Sequence, residues 1–225
     1  MQALQINLSI DSSLFTKNPE SSDLGKNIVR TSIEMIDELG YEAFNFKKLG
    51  ERIHSNESSI YRYFESKHAL LVYLFNWYWS WIEYKLVFLT MNIEQPEVKL
   101  LKILRLLTEE VKEDSDFSSI NEVLLNKIII SESAKAYHNK EVDEDNKKGF
   151  FKVYKRVVQR VCDIILEINP NYPYPHMLIS TIIEGAHHQR FFSEHLPSLT
   201  DVEEGNDAID RFYEELLLKA IKTEV

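Results

Sequence analysis

Between Lys67 and Met91 the chain carries an apolar stripe that constrains everything built around it. Leu70, Leu74, Trp77, Trp81, Tyr84, Phe88 and Met91 follow one another at steps of four and three, the spacing of one helical face. Leu71, Phe75, Tyr78, Ile82 and Leu89 line a neighbouring face. A helix apolar over so much of its circumference must be covered on several sides, as a central element between two units is. It is not a membrane span: the most apolar stretch, Ala69 to Ile82, is 14 residues long, is interrupted by Asn76 and Ser80, and runs into Glu83 and Lys85. A spanning helix needs roughly 18 or more apolar residues. Pro96 is expected to punctuate its end.

The rest of the chain reads as helix too. Six Gly and six Pro among 225 residues are too few for the many turns of a sandwich or barrel. With 44% hydrophobic and 28% charged residues the composition is that of an ordinary globular chain. From Asp23, the residues Leu24, Ile28, Ile33, Ile36 and Leu39 recur at helical steps, and Gly40 is a stop. Asn45 is a natural N-cap for a short helix from Phe46 to Ile53, Asn56 for one over Glu57 to Phe64, and Ser66 for the long helix starting at Lys67. Further helices are expected over 98–112, 120–132, along the stripe Phe150–Tyr154–Val157–Val161–Ile165–Ile168, over 175–195 and over 206–222. The run NPNYPYP at 169–175 cannot continue a helix, and Pro175 suits a first turn. The acidic stretch 141–148 reads as a solvated loop and helix start, with no metal role.

Residues 1–22 form a polar lead-in with one oddity. Leu4, Ile6, Leu8 and Ile10 alternate with Gln5, Asn7 and Ser9, which is strand patterning. Such a strand needs a partner edge; a flexible arm is the equal alternative. MQALQINLSIDSS has neither a basic region nor a continuous apolar run, so it does not read as a signal peptide. The single cysteine, Cys162, cannot form an internal disulfide and reads as a small buried core residue, which points to a reducing, cytoplasmic setting.

Three short helices with tight turns, the third opening at a polar cap, describe a helix-turn-helix. Ser58 and Ser59 stand at the start of the third helix, where side chains can reach base edges, and Tyr61, Arg62, Tyr63 and Lys67 offer hydroxyl and cationic donors to phosphates. Ile60, Phe64, Leu49 and Ile53 would anchor that helix. The segment GYEAFNFKKLGERIHSNESSIYRYFESKHALL resembles the N-terminal signature of the tetracycline-repressor (TetR) family of bacterial transcription regulators, most specifically in IYRYFESKHALL. The resemblance covers about residues 24–75; residues 95–225 share only helix count, length and all-α character. The family usually has Ala where Gly50 stands and Gly where His54 stands, so His54 is expected in a left-handed or altered turn. Glu57 either accepts from a cytosine amino group or complements the helix dipole.

The resemblance implies an all-α architecture: a lead-in over 1–22, a helix-turn-helix DNA-binding domain over 23–68, and a helical effector-binding and dimerisation domain over 69–225, joined by the long fourth helix. It implies a homodimeric, ligand-responsive repressor on a palindromic operator in double-stranded DNA, with no cofactor and no enzymatic activity. Asn45, Lys47, Lys48, Tyr61, Arg62, Tyr63 and Lys67 would position the protein on DNA, and Ser58 and Ser59 would read bases. Trp77, Trp81, Tyr84 and Phe88 would border an effector pocket, with Phe151, Tyr154 and His187 opposite, for a lipophilic small molecule. The helices over 175–195 and 206–222 would pair with their copies in the dimer. The rival reading is a helical-bundle metal protein or enzyme using Glu184, His187 and His188, whose Glu-x-x-His spacing bundle metal sites employ.

The formal charge of −10 argues at first against DNA, but its distribution does not. Residues 45–68 hold Lys47, Lys48, Arg52, Arg62 and Lys67 against Glu51, Glu57 and Glu65, a local excess of positive charge, while the acidity belongs mostly to residues 73–225. Modest nonspecific DNA affinity follows, because few phosphates are neutralised.

Overall fold

The computed structural model describes residues 8, 10–112, 120–202 and 207–222. Leu4 and Ile6 of the alternating segment, and Asn206 at the expected start of the last helix, lie outside the described residues. Two 3-10 turns, Ser12–Leu14 and Pro19–Ser21, open the described chain, and no strand occurs among the described residues. The helices that follow are α1 (Asp23–Leu39), α2 (Phe46–Arg52), α3 (Glu57–Tyr61), α4 (Lys67–Thr90), α5 (Pro96–Thr108), α6 (Glu122–Tyr137), α7 (Val142–Lys148), α8 (Lys152–Ile168), α9 (Pro175–His195) and α10 (Ile209–Ile221). The chain is all-α. None of the described helices is long and apolar enough to cross a membrane.

Local chemistry sets most boundaries. Ser22 caps α1 by accepting from Gly25 N–H, and Gly40 ends it at φ 74 while its N–H donates to Ile36 C=O. Asn45 caps α2 through Lys48 N–H, and Ser66 caps α4 through Ala69 N–H at 3.0 Å. Three expectations are corrected. Regular helix in α3 stops at Tyr61, and residues 62–64 continue as a tighter turn in which Tyr63 N–H reaches Ile60 C=O at 2.8 Å. The long helix ends at Thr90, where Asn92 adopts φ 61, so Pro96 does not end it but occupies the first turn of α5. Residues 142–148 are helix, with Asp145 buried.

The chain packs as two compact units, Met1–Ser80 with Val111–Lys152, and Trp81–Glu110 with Val153–Val225; α4 crosses the boundary between Ser80 and Trp81. In the first unit the buried set is Ile28, Ile33 and Ile36 of α1, Leu49 of α2, Ile60 and Phe64 around α3, every residue of α4 from Leu70 to Ser80, and Leu125, Ile128 and Ile129 of α6. In the second it is Trp81, Ile82 and Leu86 of α4, Ile103 and Leu104 of α5, Val157, Val161, Cys162 and Ile165 of α8, Ile182 and Ile183 of α9, and Leu217 of α10. Cys162 is the core residue expected, and burial pushes its thiol up to about 11, so it is unreactive near neutrality. The apolar stripe of α4 is not buried to its end: Val87, Phe88, Leu89 and Met91 are exposed. Ion pairs at the rim of this core tie α4 to α8. Glu83 accepts from Arg156 at 2.6 and 3.0 Å and from Arg160 at 3.1 Å, which keeps its carboxyl below the usual range.

Candidate nucleic-acid interface

A five-residue helix cannot hold its shape alone, since nucleation costs more than so few hydrogen bonds return. What fixes α3 is its surroundings. Ile60 is fully buried beneath it, Leu49 and Phe64 likewise, each worth about 1.5–3 kcal/mol of burial. The turn between α2 and α3 is closed by Ser55 N–H donating to Gly50 C=O at 2.8 Å. His54 adopts φ 53, the left-handed conformation anticipated for a residue where glycine is usual. Gly50 explains the second departure: a Cβ there would stand 2.7 Å from Ser55 C=O, so no larger residue fits without moving the turn. The two departures belong together, a strained turn residue and the glycine that makes room for it.

The outer face over this frame is polar and open. Lys47, Lys48, Ser58, Tyr61 and Arg62 are exposed, and Ser59 is half-buried. The Tyr61 ring meets Phe46 edge-on at 5.0 Å. The Lys48 ammonium donates to Ala43 C=O at 2.7 Å. Arg52 is spent on Glu38 of α1, through two bonds at 3.1 and 2.6 Å.

Besides Lys48, three more residues assigned to DNA by the sequence have internal partners. Asn45 is a helix cap, its Oδ1 taken by Lys48 N–H at 2.9 Å. Tyr63 is buried, and its hydroxyl meets Ser22 Oγ at 2.8 Å and the Lys17 ammonium at 3.2 Å. Those bonds, Ser22 foremost, lower the pKa of the phenol. The Lys67 ammonium points at the carbonyls of Tyr41, Glu42 and Phe44, at 3.2, 3.4 and 3.5 Å, and lies 4.5 Å from the centre of the Tyr41 ring. It braces the loop that leads into α2.

Sequence reasoning missed the partners of this frame. The lead-in crosses the end of the recognition segment: Thr16 N–H donates to Tyr63 C=O at 2.8 Å, Leu14 is buried, and the Phe15 ring meets Tyr73 edge-on. On the other side, Tyr41 N–H donates to Glu132 of α6 at 3.3 Å, and Lys135 joins Glu132 and Glu42 at 2.7 and 3.2 Å. These pairings span tens of residues and leave no local signal.

The residues expected around an effector divide. Trp77, Trp81 and His187 are buried, Tyr84 is half-buried, and Phe88 is 65% exposed and stacks on Tyr84 at 5.8 Å. Phe151 packs in the first unit, its ring edge-on to Phe75 at 6.2 Å. Tyr154 belongs to the second, where its hydroxyl donates to Glu184 at 3.0 Å. Burial holds the His187 imidazole neutral, its pKa pushed down to about 4. His188 is exposed and stacks on Phe192, so the two adjacent histidines face different surroundings. Among the described residues Glu184, His187 and His188 do not form a convergent ligand set; the one such set is His68, Glu141 and Asp145.

The arrangement is a helix-turn-helix with buried anchors in an all-helical chain. Residues 28–74 match the family described as bacterial regulatory proteins, tetR family. The match covers the helix-turn-helix segment, from within α1 to within α4. A curated relative, the uncharacterized HTH-type transcriptional regulator YuxN of Bacillus subtilis (strain 168), is 25% identical over 95 residues, which are 42% of this chain. The chain spans only 33% of that relative's length. Among solved structures, a tetR-family bacterial regulatory protein from Rhodococcus RHA1 aligns at TM-score 0.60 and 12% identity, over 91% of this chain and all of the other. AibR, solved in complex with isovaleryl coenzyme A and operator DNA, aligns at TM-score 0.52 and 13% identity, over 86% of this chain and 96% of the other. At such identities these likenesses concern the fold.

Proposed function

We propose that this protein is a homodimeric, ligand-responsive repressor in the cytoplasm, which reads a palindromic operator through residues 23–68 and senses a small molecule through residues 69–225. The observation that carries the reading is the division of the recognition segment into a buried side and an open polar side. Ile60, Leu49 and Phe64 are inside, while Lys47, Lys48, Ser58, Tyr61 and Arg62 are outside. Ser58 and Ser59 read base edges, and Lys47, Lys48, Tyr61 and Arg62 hold phosphates. Asn45, Tyr63 and Lys67 contribute by keeping that face in shape.

Dimerisation through α9 and α10 is supported by the apolar side chains those helices leave uncovered, Met177 at 68%, Phe212 at 58% and Leu216 at 38% exposure. The effector region in the second unit is Trp81 with Tyr154, Glu184 and His187, where a few polar groups stand in an apolar setting suited to a lipophilic molecule with a polar end. A ligand acts there only through unequal affinity for two states of the protein.

The deciding experiment is binding to the promoter region beside its own gene across a salt series. Wild type binds that DNA more tightly than random DNA, and Arg62→Ala reduces both the affinity and its salt slope. Equal binding of wild type and Arg62→Ala at every salt concentration would refute the assignment.

A further inference from the structure

We infer that His68, Glu141 and Asp145 form a binding site for a divalent cation of the zinc, cobalt and nickel class. His68 is the second residue of α4, Glu141 immediately precedes α7, and Asp145 lies one turn into α7. Glu141 and Asp145 are four residues apart and so share a face of that helix. The fold of the first unit carries His68 to that face across 77 residues of sequence, where its Nε2 meets Asp145 Oδ2 at 2.8 Å. One ligand atom from each of the three lies within 4.8 Å of the others. Ligand atoms bound at about 2.0–2.2 Å around one cation stand roughly 3–4 Å apart, so side-chain adjustments of less than an ångström close the set.

Charge favours occupation. Asp145 is 4% exposed and has lost its water, and a second carboxylate, Glu141, converges on the same point. A buried carboxylate requires a counter-charge or a metal. The lysines of α7 are turned elsewhere: Lys147 pairs with Glu144 at 2.7 Å, and Lys148 lies over the Phe150 ring. The His68 imidazole pairs with Asp145, and a divalent cation neutralises both carboxylates at once.

The donor set selects the cation. An imidazole nitrogen is a poor ligand for magnesium or calcium, which take oxygen, and the absence of thiolate among the three disfavours copper(I). One nitrogen and two carboxylates suit zinc, cobalt and nickel. His68 keeps 25% of its side chain exposed and Glu141 is exposed, so water completes the coordination and the ion exchanges. Bound there, the cation ties α7 to the first turn of α4, one residue from Lys67 and its brace on the loop before α2.

The test uses the full-length protein stripped with a chelator, titrated with zinc by calorimetry and with cobalt by visible absorption. Both readouts are independent of DNA, so they stand or fall apart from the proposed function. One cation per chain is expected at sub-millimolar affinity. Glu141→Gln, at an exposed position that does not threaten folding, weakens it at least about tenfold, as does His68→Gln. Glu184→Gln leaves it unchanged. Equal affinity in wild type and Glu141→Gln, or millimolar binding in wild type, would overturn the site.

Discussion

The segment from α2 to α3 and the helices α8 and α9 are built on opposite plans. Each of the long helices carries its own reason to be helical and to be buried. In α8, Val153, Val157, Val161 and Ile165 repeat on one face and the charged residues on the other, so folding needs only something apolar to pack on. The short segment has no such reserve. Its five-residue α3 depends on a capped neighbour, a glycine against a carbonyl, a left-handed histidine and a tyrosine held from outside. Bulk burial tolerates imprecision, whereas a surface that must match DNA needs its backbone placed by specific contacts.

That contrast can be broken from either side, beginning with the largest effect. His187, buried in α9, has a pKa of about 4 against 6.5 for the free side chain. The unfolded chain therefore takes up a proton between those values and the folded one does not, so stability is complete above about pH 6.5 and falls as the pH drops toward 4. The loss approaches about 3 kcal/mol. Denaturant titrations at pH 7 and pH 5 should show it for wild type, and His187→Leu should flatten the difference.

Gly50→Ala comes next. Its Cβ meets the Ser55 carbonyl, which belongs to the backbone and cannot rotate away. A loss of about 1–3 kcal/mol is expected, together with a larger fall in operator affinity than any equally destabilising substitution in α8 produces. If affinity follows stability alone, the recognition segment is no more exacting than the long helices.

Tyr63→Phe removes the hydroxyl held by Ser22 and Lys17 while keeping the buried ring. About 1 kcal/mol is expected from thermal melts, with weakened operator binding although Tyr63 itself is covered. The smallest change is His54→Gly. Relief of the positive φ is partly offset by the freer unfolded chain, leaving a gain of a few tenths of a kcal/mol. A loss on that substitution would mean that the imidazole, and not the backbone, matters at the turn.

Much of the first plan was legible because it is local. Helix α9 runs over Pro175–His195 as the proline and the apolar pattern predict, and Asn45, Ser66 and Gly40 cap or stop the helices beside them. The site was legible only in part. Exposed Lys47, Ser58 and Arg62 stand where the pattern puts them, but Tyr63 and Lys67, chemically equal candidates, have internal partners. Likewise Phe151 and Tyr154, both expected on one wall of an effector pocket, pack in different units.

The sequence by itself determined that this chain is helical, where its capped helices α2 and α4 and the proline-led α9 begin, and that a helix-turn-helix stands near its start. Those facts depend on periodicity and on caps within a few residues, which chain stereochemistry enforces regardless of context. Tertiary structure alone decided which cations face outward, that the lead-in holds Tyr63, and that His68 meets Asp145. Such pairings are set by the burial of whole helices, which acts on apolar area without regard to distance along the chain.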